Sequence, residues 1–141
     1  MKLIIITILI ITPAKSYANM CFEVAGKEYN IAPELLRAIS YVESRHKPDA
    51  INNNKNKTYD YGHMQVNSFW KKYLKEDYSM LNNPCYCTKV GAWILKQCID
   101  RYGYNWNAVA CYNTGSLKTP EKRKIGQVYI KKVQAALKIK Q

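Results

Sequence analysis

A carboxylate on the apolar side of a helix constrains this chain most. Pro33 suits the first position of a helix and Glu34 suits its first turn. Leu35, Leu36, Ile39 and Val42 then recur at helical spacing, and the pattern stops near His46-Lys47-Pro48, where Pro48 turns Lys47 away from helix. The steps 35, 39, 43 and 36, 39, 43 both arrive at Glu43. An ionised carboxylate on that stripe is costly unless it is paired. In one reading the helix frays and Glu43 reaches solvent, or pairs with Arg45 or Lys47. In the other, Glu43 is half-buried at the edge of a cleft, with a raised pKa, and works as a general acid.

The N-terminus reads as an address rather than as structure. Met1-Lys2 precedes a short apolar block over residues 3–11, and small and polar residues follow, ending Ser16-Tyr17-Ala18. That is the pattern of a secretory leader cut after Ala18. The block falls short of the roughly 20 apolar residues of a membrane span, so no stable membrane anchor is expected. The expected division is a leader over 1–18 and one domain over 19–141. Removing the leader takes away Lys2 and Lys15 and no acid, so the net charge of +12 falls by two.

All five cysteines lie beyond the leader, and an exported chain is expected to oxidise them. Five is odd, so two bridges leave one thiol. Cys85 and Cys87 compete for the same region. The expected pairing is Cys21–Cys111 and Cys85–Cys98, with Cys87 left over. Zinc is discounted: Cys85-Tyr86-Cys87 lacks the usual ligand gap, and His46 and His63 form no ligand pair. No metal and no cofactor are expected.

Helices dominate the rest. The Asn- and Lys-rich residues 50–58 predict an exposed loop or a small irregular hairpin. A short helix is expected over 68–74, a loop over 82–85, and a long helix over 90–102. A further helix is expected over 106–112. The last helix, over 121–138, places Ile125, Val128, Tyr129, Val133, Ala136 and Leu137 at helical spacing, with lysines on its other face. The fold class is therefore mainly α with a minimal β hairpin, stapled by disulfides. A strongly basic domain is drawn to polyanions. Export and the absence of a nucleic-acid motif point away from nucleic acid and toward the envelope, where the cell wall with its peptide carboxylates and an anionic membrane surface both fit.

Three short segments carry a resemblance: Glu43-Ser44, then Gly62-His63-Met64-Gln65, then Tyr112-Asn113-Thr114-Gly115. In this order and spacing the chain resembles the lysozyme-like lytic transglycosylases, in particular the small exported members associated with type III and type IV secretion machines and pili. The resemblance covers nearly all of residues 21–116. It departs at His63, where leucine is usual, and His63 is given no catalytic role. It implies that Glu43 is the catalytic acid/base and that Ser44 orients the substrate or the Glu. It implies that Gly62 lets the sugar chain approach and that Met64 packs beneath the site. Gln65 and Asn67 are then hydrogen-bonders to glycan or loop, Tyr112 an aromatic hydroxyl near Glu43, and Asn113 a structural or sugar contact. Asn67 also suits a simple helix cap.

The implied reaction uses one carboxylate. Glu43 protonates the bond between N-acetylmuramic acid and N-acetylglucosamine, and the muramoyl 6-hydroxyl closes a 1,6-anhydro ring. Asp60, two residues before Gly62, complicates this. Facing Glu43, it makes a two-carboxylate hydrolytic muramidase; otherwise it braces a turn. A reading from another class is a weakly active wall-binding assembly factor. The expected setting is the periplasm. The expected partners are peptidoglycan glycan strands and a component of a secretion apparatus, with the chain itself a monomer.

Overall fold

The computed structural model describes residues 20–139. The leader expected over residues 1–18 lies outside the described residues. Among the described residues six α-helices run in the order α1 (Phe22–Tyr29), α2 (Pro33–Ser44), α3 (Lys71–Leu74), α4 (Pro84–Tyr102), α5 (Trp106–Thr114) and α6 (Pro120–Leu137). Three short strands, β1 (Ile51–Asn53), β2 (Tyr59–Tyr61) and β3 (Val66–Asn67), form an antiparallel sheet in that order between α2 and α3. The chain is thus mainly α with a small sheet. No helix among the described residues is long and apolar enough to cross a membrane.

α2 begins at Pro33 and buries Leu36, Ile39 and Ser40 completely. It lies against α6, which packs also on α5, while α5 packs on α4. The segment over residues 50–58 forms a hairpin rather than an open loop, closed where the Asn54 N–H donates to the Thr58 carbonyl at 2.8 Å. α4 starts six residues earlier than the apolar spacing suggests. Pro84 sits in its first turn, and the Asn83 side chain caps it by accepting from the Tyr86 N–H at 3.0 Å. α1, only eight residues long, is a helix that the sequence reading does not anticipate.

The inner face of α6 is turned relative to expectation. Gly126, Tyr129, Ile130, Val133 and Ala136 are buried, whereas Ile125, Val128 and Leu137 are exposed. Gly126 sets this orientation: a Cβ there would lie 2.7 Å from Cβ of Ala110, so only glycine lets α6 approach α5 so closely.

The disulfide pairing differs from the expected one. Cys21 bonds Cys85, with Cα atoms 5.0 Å apart, and Cys98 bonds Cys111 at 5.8 Å. Neither Cys21–Cys111 nor Cys85–Cys98 forms. α1 packs beside α4, which carries Cys21 to the start of α4, while Cys98 on α4 faces Cys111 on α5. Cys87 is free and fully buried. Two residues beyond Cys85 on a helix, it is turned roughly 200° around the axis, away from the bridge and into the core.

Candidate active site

Glu43 lies in the last turn of α2, one turn beyond Ile39. Its side chain is half-buried. The phenol of Tyr129, on the inner face of α6, donates a 2.5 Å hydrogen bond to Glu43 Oε1. Burial pushes the Glu43 carboxyl up to about 7. The Tyr129 bond and the charge of Lys132 pull it down, and the charge of Asp60 pushes it further up. Glu43 therefore neither frays into water nor pairs with Arg45, whose guanidinium donates to the Tyr41 phenol instead.

The turn over residues 62–65 is pinned to the end of α2 from several sides. Ser44 Oγ donates to the His63 carbonyl at 2.8 Å and accepts from the Lys47 N–H at 3.1 Å. His63 is fully buried, its Nε2 2.9 Å from the Pro84 carbonyl and its Nδ1 2.7 Å from Ser40 Oγ. A carbonyl only accepts, so the proton sits on Nε2, and Nδ1 receives the Ser40 hydroxyl. Ser40 Oγ in turn accepts from His46 Nδ1 at 2.8 Å. This directed chain locks α2 to the turn. Burial holds the His63 imidazole down at about 4, so it stays neutral at working pH. His63 thus replaces the usual leucine as a hydrogen-bonded core residue, and Ser44 is a brace between α2 and the turn.

Gly62 faces the interior. Its φ is +77°, and a Cβ would lie 2.6 Å from the Leu81 carbonyl oxygen and 2.7 Å from Cys87 Sγ. The close approach it permits here is to the protein's own core. Met64, fully buried, packs beneath the site, and its carbonyl accepts from the Tyr112 phenol at 2.7 Å. Tyr112 therefore secures the turn from α5. Burial raises its pKa well above the usual value, and the charge of Glu43 adds to the effect. Asn113, next in α5, is exposed.

The sheet presents Asp60 on the face it shares with Asn52 and Asn67, its cross-strand neighbours. Asn54 Nδ2 donates to Asp60 Oδ2 at 3.0 Å, and Asn67 Nδ2 donates to Oδ1 at 2.7 Å. Asn67 Oδ1 caps the following 3₁₀ turn by accepting from the Phe69 N–H. Gln65 accepts from Asn52 Nδ2 at 2.6 Å and donates to the carbonyls of Gly62 and Ala50. Both amides are thus engaged within the protein. Tyr129 is the site neighbour that sequence reasoning placed only in the core. Its position on the inner stripe of a lysine-rich helix gives no sign of a catalytic partner.

A half-buried glutamic acid at the end of a helix, within reach of the charge of Asp60 on a small antiparallel sheet, fits the lysozyme-like superfamily of glycan-cleaving enzymes. The chain belongs to the family of transglycosylase SLT domains, which it matches over residues 20–136, and is a peptidoglycan lytic transglycosylase. It is 42% identical over 117 residues to "Invasion protein IagB" of Salmonella typhimurium, covering 80% of this chain and 72% of that protein. It is 40% identical over 108 residues to "Protein IpgF" of Shigella flexneri, covering 74% and 70%. It is 34% identical over 143 residues to a "Peptidoglycan-binding-like protein" of Escherichia coli O157:H7, covering 93% and 84%.

Proposed function

We propose that Glu43 cleaves the bond between N-acetylmuramic acid and N-acetylglucosamine and leaves a 1,6-anhydro end. As the carboxylic acid, Glu43 gives its proton to the glycosidic oxygen while the C1–O bond breaks. As the carboxylate, it takes the proton of the muramoyl 6-hydroxyl, whose oxygen bonds to C1. One group returns to its starting state, and no water enters. The observation that carries this reading is Glu43 half-buried at the end of α2 with the Tyr129 phenol donating to its Oε1 at 2.5 Å; burial there pushes the carboxyl up to about 7, where both forms are accessible at neutral pH. Ser44, Gly62 and Tyr112 serve by fixing the turn beside Glu43, and exposed Asn113 is free to meet the sugar. The domain runs from residue 19 to 141 after loss of the leader, works in the periplasm as a monomer, and opens the wall locally for a secretion or pilus apparatus. The name "Invasion protein" of one relative is in keeping with that setting.

A second reading is favoured by Asp60, whose charge is felt at Glu43. With Asp60 stabilising the sugar cation, the chain is a hydrolytic muramidase. Mass spectrometry of fragments released from purified peptidoglycan separates the two. Anhydro ends support the single-carboxylate reaction, and reducing ends overturn it. No release at any pH supports a wall-binding assembly factor.

A further inference from the structure

The back of the sheet carries a hollow that the reaction does not use. Successive residues of a strand point to opposite faces. Asp60 faces the side of Asn52 and Asn67, so Tyr59 and Tyr61 face the other, together with Ile51. There a hollow of about 520 Å³ is lined by Tyr59, Tyr61, Tyr78, Lys71, Lys75 and Glu76, within the range of small-ligand sites.

Its wall is firmly built. Tyr78 is buried, and its phenol donates to the Val66 carbonyl at 2.9 Å. Its ring meets Tyr59 edge-on at 6.0 Å and Tyr61 at 6.4 Å. Lys71 Nζ stands 5.1 Å from the Tyr59 ring centre and 5.3 Å from that of Tyr78. Lys75 holds φ 52° and ψ −124°, a conformation costly for a residue with a Cβ, where the chain leaves α3 to line the hollow.

We propose that this hollow is a second, non-cleaving site for peptidoglycan. The Tyr rings receive the C–H faces of a glycan strand, and Lys71 and Lys75 pair with carboxylates of its stem peptides. The proposal rests on the wall-cleaving reading above. Its chemistry follows from the lining: tyrosine rings offer flat apolar faces with polar rims, and two ammonium groups against one carboxylate favour an acidic ligand over a neutral one. Holding one strand on the back of the sheet while another lies beside Glu43 would keep the enzyme on an insoluble polymer between cuts.

The test is cosedimentation with insoluble peptidoglycan in an E43Q background, so that no strand is cut during the assay. The double reversal K71E/K75E should weaken binding by about tenfold. K124E/K131E, the same charge change on exposed positions of α6, should leave it within about twofold, and K71R/K75R should bind as the parent does. With Glu43 intact, K71E/K75E should still cut a short soluble glycan oligomer at the parental rate. Unchanged sedimentation of K71E/K75E, as an acidic protein ligand would give, overturns the proposal. An equal loss in K124E/K131E overturns it too, because bulk charge then explains the binding. Failure of the parent to cut any glycan would count against the wall-cleaving reading, while the E43Q comparison would still report on the hollow.

Discussion

The phenol of Tyr129 reaches Glu43 across 86 positions of chain and donates to its carboxylate at 2.5 Å. The last helix is therefore part of the candidate site and not merely a cover for the core. The bond favours the ionised form and so moderates what burial does to Glu43. Asp60 acts in the opposite sense through its charge.

These two neighbours should move the pH profile in opposite directions. The step that needs protonated Glu43 should slow as pH rises through about 7. Tyr129→Phe removes an interaction that lowers the pKa, so the decline in kcat/KM should shift to higher pH. Asp60→Asn removes one that raises it, so the decline should shift to lower pH. Fragment release measured from pH 5 to 9 checks both signs, and shifts in the same direction would refute the assignment.

Glu43→Gln should abolish cleavage, by a factor on the order of 10²–10⁴ for a lost acid/base, and should stabilise the fold at alkaline pH. The folded carboxyl is raised from 4.5 to about 7. Its contribution is fully present below pH 4.5 and is lost as pH rises through about 7. Glutamine stays neutral throughout and still accepts from Tyr129. The variant should match the parent near pH 4 and exceed it by about 3 kcal/mol at pH 8. Urea unfolding at the two pH values measures this, and a difference independent of pH would contradict the burial of Glu43.

Gly62→Ala should destabilise the fold by about 2–4 kcal/mol, since a Cβ would meet backbone and sulfur at φ +77°. The loss should appear in thermal unfolding as well as in activity. A variant with parental Tm but no activity would instead support a sugar contact at Gly62.

The two bridges should differ in worth. On chain entropy alone, removing Cys21–Cys85, which closes a loop of separation 64, should cost about 4 kcal/mol, and removing Cys98–Cys111, of separation 13, about 3 kcal/mol. Paired Cys→Ser variants compared in urea test the order. A larger loss for the short loop would show that local packing of α4 on α5 outweighs loop closure.

Much of the fold was legible because it rests on local rules. Pro33 and the spacing of Leu36 and Ile39 announce α2, and Glu43 is conspicuous because it violates the stripe it continues. The rest depends on partners far along the chain. The disulfides follow from α1 lying on α4, which neither element specifies by itself. Gln65 and Asn67 are polar residues beside a recognisable motif, and nothing local says whether they face ligand or protein. Tyr129 looks like any inward aromatic until α6 docks on α2. Asp60 is held by the amides of Asn54 and Asn67 while its charge is felt at Glu43, so its role depends on a sheet-to-helix approach that no local signal specifies.

The seclusion of Cys87 has a consequence for how the chain matures. Five cysteines admit fifteen two-bridge isomers, from five choices of odd thiol and three pairings of the remaining four. In an unfolded chain Cys87 is nearly as close to Cys21 as Cys85 is, so early oxidation yields the wrong isomer as readily as the right one. Once α4 has turned Cys87 inward against Gly62, burial pushes its thiol up to about 12. The thiolate needed for disulfide exchange is then scarce and walled in. The folded chain therefore keeps its odd thiol out of exchange with either bridge.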